Sequence, residues 1–233
     1  MDVIIADDAA AQAGAWAAEW LADATGRDGA EGAATIAVSG GSTAPAFLAA
    51  VPGSVWRHTA VWQVDERVAP DGDDDRNAEQ LIDVPAVRFT PMPVTADDLV
   101  AAAARHARSF PERFDLVHLG VGDDGHTASW PPEPHPDHAV VFTTAPVAVI
   151  GEFNGRRRMT LGPGPIDGAR ARLVLVTGAA KAHIVRRWLV DGDRSLPITG
   201  ITAESTFVFL DPDAASGLND LSDVDPAGPS AEA

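Results

Sequence analysis

Residues 114–132 read F-D-L-V-H-L-G-V-G-D-D-G-H-T-A-S-W-P-P. Residues 114–119 are a short apolar run with one polar interruption. Their length and the glycines that follow favour a buried strand over a helix. Gly120, Gly122 and Gly125 then break the chain within six residues; glycine admits positive φ and lets other backbone or a ligand come close. Asp123, Asp124 and His126 are packed into that turn, with Thr127 and Ser129 behind them. An imidazole just past the carboxyl end of a strand, two residues after a carboxylate, suits a general base with its orienting partner. An isolated D-x-H is equally a polar turn with a solvated histidine. Here the surrounding glycines weigh against that reading.

Upstream, residues 35–38 read as a strand that runs into Ser39-Gly40-Gly41-Ser42-Thr43, and Pro45 marks a helix start. A strand, a small-residue loop and a helix N-terminus can hold an anion, although the same pattern also makes a plain tight turn. No G-K-[ST] follows, so this is not a Walker loop. Residues 61–64 read as a strand with Asp65-Glu66-Arg67 at its carboxyl end, where open α/β sheets bind ligands. A surface ion-pair cluster is the competing reading of D-E-R. The acidic run at 71–75 reads as solvated. A helix is expected over residues 96–110, capped by Thr95.

Downstream, the prolines at 131–136 impose a loop. His126, His135 and His138 could suggest zinc, but those prolines break any regular ligand spacing. Residues 139–150 read as extended. Further strands are expected at 172–176 and 207–210. Lys181 is the only lysine, against sixteen arginines, and falls in a first helical turn, where an ammonium can meet phosphate as a point charge. Trp16 and Trp20, four apart in an alanine-rich helix reaching about Ala24, read as packing.

The 233 residues suffice for one large α/β domain, and 45% are hydrophobic. The net charge of −17 argues against nucleic acid or an anionic membrane as partner, and it leaves any phosphate ligand dependent on a local basic cluster. There is no cysteine, hence no disulfide or thiolate chemistry. No leader and no apolar run of about 18 residues is visible, so the cytoplasm is the expected location and a monomer the favoured state. Strands alternate with helices, which gives α/β class: a mostly parallel sheet with helices on both faces. A single domain is expected over residues 1–214, with an acidic, disordered tail over 215–233.

The stretch G-V-G-D-D-G-H-T-A-S resembles the G-x-G-x-D-G-H-T-A-S signature of 6-phosphogluconolactonases, which share a fold with glucosamine-6-phosphate deaminases. The likeness continues in order over residues 36–211. Residues 39–45 resemble the family's S-G-G-S-T-P, with Ala44 inserted. Residues 65–70 resemble D-E-R-x-V-P, and Arg76-Asn77 stands where the family has S-N. Residues 158–160 match R-x-T, and residues 178–181 match G-x-x-K. The resemblance implies a Rossmann-like fold and hydrolysis of 6-phospho-D-glucono-1,5-lactone without metal or other cofactor. It implies His126 as the base that activates water, Asp124 as its orienting carboxylate, Arg67 or a backbone N–H near Gly40 as oxyanion donor, and Asp65 as a further catalytic carboxylate. Gly40, Gly41, Ser42, Thr43, Arg158 and Lys181 would hold the phosphate. A deaminase follows its D-G-H with a glutamate-bearing run; here no glutamate comes before Glu133. A non-catalytic sugar-phosphate sensor is the other alternative.

Overall fold

The computed structural model describes residues 1–25 and 32–218. The chain runs β1 (Asp2–Ile5), α1 (Ala9–Ala24), β2 (Ala34–Val38), α2 (Ala44–Ala50), α3 (Gly53–Trp56), β3 (Thr59–Gln63), β4 (Asp65–Arg67), β5 (Arg88–Thr90), α4 (Leu99–Ala107) and β6 (Leu116–Leu119). It continues β7 (Val147–Phe153), β8 (Arg156–Leu161), α5 (Pro163–Asp167), β9 (Ala171–Val176), α6 (Ala182–Leu189) and β10 (Thr206–Leu210). Seven strands form one sheet in the order β1-β10-β9-β6-β2-β3-β5, and every pairing in it is parallel. Strands β3, β6 and β9 are buried along their whole length. This is why they read as near-continuous apolar runs, as a sheet covered on both faces requires.

Two apolar clusters lie on the two faces. Ala13, Ala17 and Leu21 of α1 pack with Phe47 and Leu48 of α2 on one. Leu99 and Ala103 of α4 pack with Ile184, Val185 and Trp188 of α6 on the other. Trp16 stacks on Trp20 at 5.2 Å and meets Phe207 at 4.5 Å, so the pair is packing. The polar interruption in β6, His118, is fully buried and stacks on Phe47 at 4.1 Å. Burial pushes its pKa down to about 3, against a smaller upward pull from the Ser39 backbone. The imidazole is therefore neutral and packs like an aromatic ring.

Several sequence expectations shift. Asp98, not Thr95, caps α4: its Oδ1 accepts from the Ala101 N–H at 2.9 Å, and the helix spans Leu99–Ala107. Residues 139–150 are not uniformly extended. His138–Phe142 is a 3-10 turn that buries Val140, and β7 starts directly after Pro146. The ordered chain passes the expected boundary at 214: Ala214–Leu218 is a 3-10 turn with Leu218 buried in the α6-side cluster. The rest of the expected tail, residues 219–233, lies outside the described residues.

A second, three-stranded antiparallel sheet, β4-β8-β7, sits beside the first. Its attachment depends on Glu66 of β4, whose carboxylate is fully buried. That carboxylate accepts from Gln63 Nε2 at 2.7 Å, Arg67 N at 2.8 Å, Asn77 N at 2.7 Å and Ala78 N at 2.9 Å. It also pairs with Arg76 Nε at 3.0 Å. Burial works against the charge on Arg76, but the Glu66 and Asp71 carboxylates outweigh it and raise its pKa. The acidic run is not simply solvated: Asp71 pairs with Arg76 at 3.0 Å, and Asp75 pairs with Arg156 of β8 at 2.6 Å. The arginine in the family's serine position thus ties this loop to β4. We expect Glu66→Gln to cost about 3 kcal/mol in urea unfolding, because it removes the buried partner of the Arg76 charge and leaves only the exposed Asp71. A loss below about 0.5 kcal/mol would show that the loop is held elsewhere.

Candidate functional site

Beyond β6 the chain makes the tight turn that its glycines foreshadow. The Gly122 N–H donates to His126 O at 2.8 Å, and the Gly125 N–H donates to Gly122 O at 3.0 Å. A Cβ on Gly122 would lie 2.1 Å from the His126 ring, so only glycine lets the imidazole fold back over the turn. Thr127 Oγ1 donates to Gly120 O at 2.9 Å and closes the loop. His126 Nδ1 lies 2.5 Å from Asp124 Oδ1, and the same oxygen accepts the His126 N–H at 3.1 Å. Partial burial works to raise the Asp124 pKa, but the bond and charge of His126 more than offset it and hold it below the usual carboxylate range. An ionised Asp124 makes Nδ1 the donor and leaves Nε2 as the basic nitrogen. The ring also meets the Phe153 ring edge-to-face at 5.1 Å.

His126 lines a cleft of about 200 Å³ at the carboxyl ends of the parallel strands. The loop after β2 supplies Gly40, Gly41, Ser42 and Thr43 to it. Asp65 and Arg67 of β4, Arg158 of β8 and Lys181 before α6 complete the predicted set. Asp124 stands behind His126 and does not itself line the cleft. Five separate segments therefore converge, which is what α/β sheets provide where strand ends open into a crevice.

The contacts refine what each residue can do. Lys181 lies in the 3-10 turn Ala179–Lys181 rather than in α6 itself. Its Nζ donates to Val121 O at 2.8 Å and pairs with Asp123 at 2.6 Å. The Lys181 hydrogen bond and charge depress the Asp123 pKa. Arg67 Nη1 donates to Asp75 O at 2.5 Å. Arg158 is more enclosed than a simple anion clamp: Nε donates to Phe153 O at 3.0 Å, and Nη1 lies 3.7 Å from Asp65 Oδ2. Burial lowers its pKa, with Asp65 the largest opposing influence. The Gly41 N–H, expected to point at an anion, donates to Gln80 Oε1 at 3.0 Å.

Sequence reasoning passed over three further residues. Ser129 Oγ donates to Asp65 Oδ2 at 2.6 Å. Asn77 Nδ2 donates to both Asp65 O and Asp65 Oδ1, at 3.0 and 3.2 Å. Gln80 holds the loop at 39–43 as described. Asn77 and Ser129 carried a signal, since each falls in a family-like motif; Gln80 carried none. His135 and His138 take other partners: His135 Nε2 lies 2.8 Å from Glu152 O, and His138 Nε2 lies 3.3 Å from Glu133. Among the described residues there is no group of three or more His, Cys, Asp or Glu that could hold a metal. No described helix is long and apolar enough to cross a membrane.

Comparison with known proteins identifies the family and the fold. The family model described as "Glucosamine-6-phosphate isomerases/6-phosphogluconolactonase" matches residues 6–209. A 6-phosphogluconolactonase of Streptomyces coelicolor is 33% identical, over 80% of this chain and 83% of its own. The human GDH/6PGL endoplasmic bifunctional protein is also 33% identical, over 78% of this chain, yet the chain spans only 26% of that protein's length. The crystal structure of a 6-phosphogluconolactonase from Shewanella baltica superposes with a TM-score of 0.76 at 25% identity, covering 90% of this chain and 96% of that one. The chain belongs to the glucosamine-6-phosphate isomerase/6-phosphogluconolactonase family.

Proposed function

We propose that this chain hydrolyses 6-phospho-D-glucono-1,5-lactone to 6-phosphogluconate, the second step of the oxidative pentose phosphate pathway. The observation that carries the reading is the Asp124–His126 pair at 2.5 Å, facing the cleft that also holds the loop at 39–43 and Lys181. The names of the relatives support the substrate. His126 Nε2 takes a proton from water as the oxygen attacks the lactone carbonyl carbon. Asp124 holds the ring and stabilises the imidazolium that forms. The negative charge that develops on the carbonyl oxygen falls to Arg67 or a backbone N–H near Gly40. The ring C–O bond then breaks, and the imidazolium returns its proton to the departing ring oxygen. Asp65, held by Ser129 and Asn77, serves as a substrate-facing carboxylate. Gly40, Gly41, Ser42 and Thr43, with Arg158 and Lys181, receive the phosphate. The scheme uses no metal or organic cofactor.

Deamination of glucosamine 6-phosphate finds less support. Asp65 could serve as its base at C2, so the segment after His126 discriminates: the deaminase family's glutamate has no counterpart there, since Glu133, the first glutamate after His126, is exposed, paired with His138 and outside the cleft lining. A binding-only role leaves the short Asp124–His126 contact without a purpose. The proposal includes one catalytic domain extending to at least Leu218. It also places the chain in the cytoplasm as a monomer, in keeping with its strong negative charge.

We expect His126→Ala to lower lactone turnover at least about a hundredfold, the scale of a lost general base. Turnover near the wild-type value in a folded variant would remove His126 from the mechanism. Lys181→Met should weaken binding of the phosphorylated lactone by about 1.5–3 kcal/mol and leave the unphosphorylated lactone nearly unchanged. Equal losses on both would make Lys181 structural.

A further inference from the structure

Among the described residues, Arg67, Arg158 and Lys181 are the lysine and arginine side chains that line the cleft, and their resident partners differ in whether they can leave. Arg67 donates to a backbone carbonyl, Asp75 O, which cannot swing away on its own. Arg158 and its partner Asp65 are both only 7% exposed, and parting them would strand a buried charge. Lys181 is different. Its Nζ lies 2.6 Å from Asp123 Oδ1, on a carboxylate that is 78% exposed.

The surroundings fix the lysine and leave the aspartate room to depart. The Lys181 N–H donates to Gly178 O at 3.0 Å, and the Gly178 N–H donates to the Asp211 carboxylate at 2.9 Å. Nζ also donates to Val121 O at 2.8 Å. Lys181 lines the cleft, whereas Asp123 stands outside its lining. The neighbouring Asp124 charge repels the Asp123 carboxylate; the Lys181 hydrogen bond and charge outweigh that repulsion and hold it ionised. Position 123 is the open x of G-x-G-x-D-G-H, so the resemblance gives it no role.

An ion pair with an exposed partner is weak and screened, while a charge-assisted hydrogen bond to phosphate is strong. Phosphate is also largely dianionic at neutral pH, against one charge on a carboxylate. We propose that Asp123 is the resident counter-ion of the phosphate subsite. It neutralises Lys181 before a ligand binds, is displaced outward by the ligand's phosphate, and thereby lowers the affinity for that phosphate. The inference rests on the phosphate role proposed for Lys181. It makes Asp123 an affinity-setting residue, acting through competition and not through contact with the reacting atoms.

The test is Asp123→Asn, which keeps the size of the side chain and removes its charge. Inorganic phosphate and 6-phosphogluconate are titrated by calorimetry at one fixed salt concentration. We expect both to bind about threefold more tightly than to wild type, the scale of an exposed ion pair. The same substitution in a Lys181→Met background should change 6-phosphogluconate affinity less than about 1.5-fold, because competition needs the ammonium. Affinities equal to or weaker than wild type would overturn the proposal. Equal tightening with and without Lys181 would do the same, since it would report only the relief of a chain charge of −17. Inorganic phosphate requires no lactone chemistry, so the two readings fail separately. Lysine-dependent tightening in a protein that does not accelerate lactone opening overturns the lactonase reading and keeps the counter-ion. Lactone opening without tightening does the reverse, and a protein that binds neither ligand overturns both.

Discussion

The buried Glu66 carboxylate is the constraint on which the cleft depends. It draws in the N–H groups of Asn77 and Ala78 and the Arg76 guanidinium from a loop ten residues further on, and it does so from the strand that also carries Asp65 and Arg67. Removing a carboxylate from water costs several kcal/mol, repaid only when its lone pairs are fully engaged. Five donors around Glu66 meet that condition. The consequence is geometric: with β4 and residues 77–80 locked together, Asn77 can hold Asp65, Asp65 can hold Ser129, and Arg67 is left at the cleft edge.

The charge balance follows from the same arrangement. A chain of net charge −17 still gathers Arg67, Arg158 and Lys181 at one cleft. Each cation already has an internal partner: Asp75 O for Arg67, Asp65 for Arg158, Asp123 for Lys181. On the proposed function, a phosphate competes with these resident acceptors. The weakest competitor is the Asp123 side chain, 78% exposed beside a Lys181 ammonium only 21% exposed. Exchange of that carboxylate for a phosphate keeps the ammonium paired and returns Asp123 to water, where its charge is well solvated.

Much of this was legible in the sequence because it is local. The glycine-framed D-D-G-H turn, the S-G-G-S-T loop and the apolar runs of β3, β6 and β9 each carry their own signal within a few residues. What stayed hidden is long-range. Ser129 meets Asp65 across 64 positions, and the Gly41 amide meets Gln80 across 39. Glu66 looked like one charge in a surface triplet, since nothing in D-E-R distinguishes the buried member. Arg158 looked like an anion ligand because its pairing with Asp65 depends on the antiparallel register of β4 and β8. The 3-10 turn at Ala214–Leu218 was lost at the head of an acidic tail, although Ala214, Ala215 and Leu218 are buried in the α6-side cluster.

The central claim is that this cleft opens a phosphorylated δ-lactone and does not deaminate an amino sugar. The direct measurement is a pair of parallel assays on wild-type protein. One follows 6-phospho-D-glucono-1,5-lactone, with a no-enzyme control subtracted because the lactone hydrolyses by itself. The other follows ammonia from glucosamine 6-phosphate. The account predicts lactone loss well above the spontaneous rate and no ammonia. Lactone loss at the spontaneous rate, with ammonia released at the order of 1 s⁻¹ or faster, would contradict it.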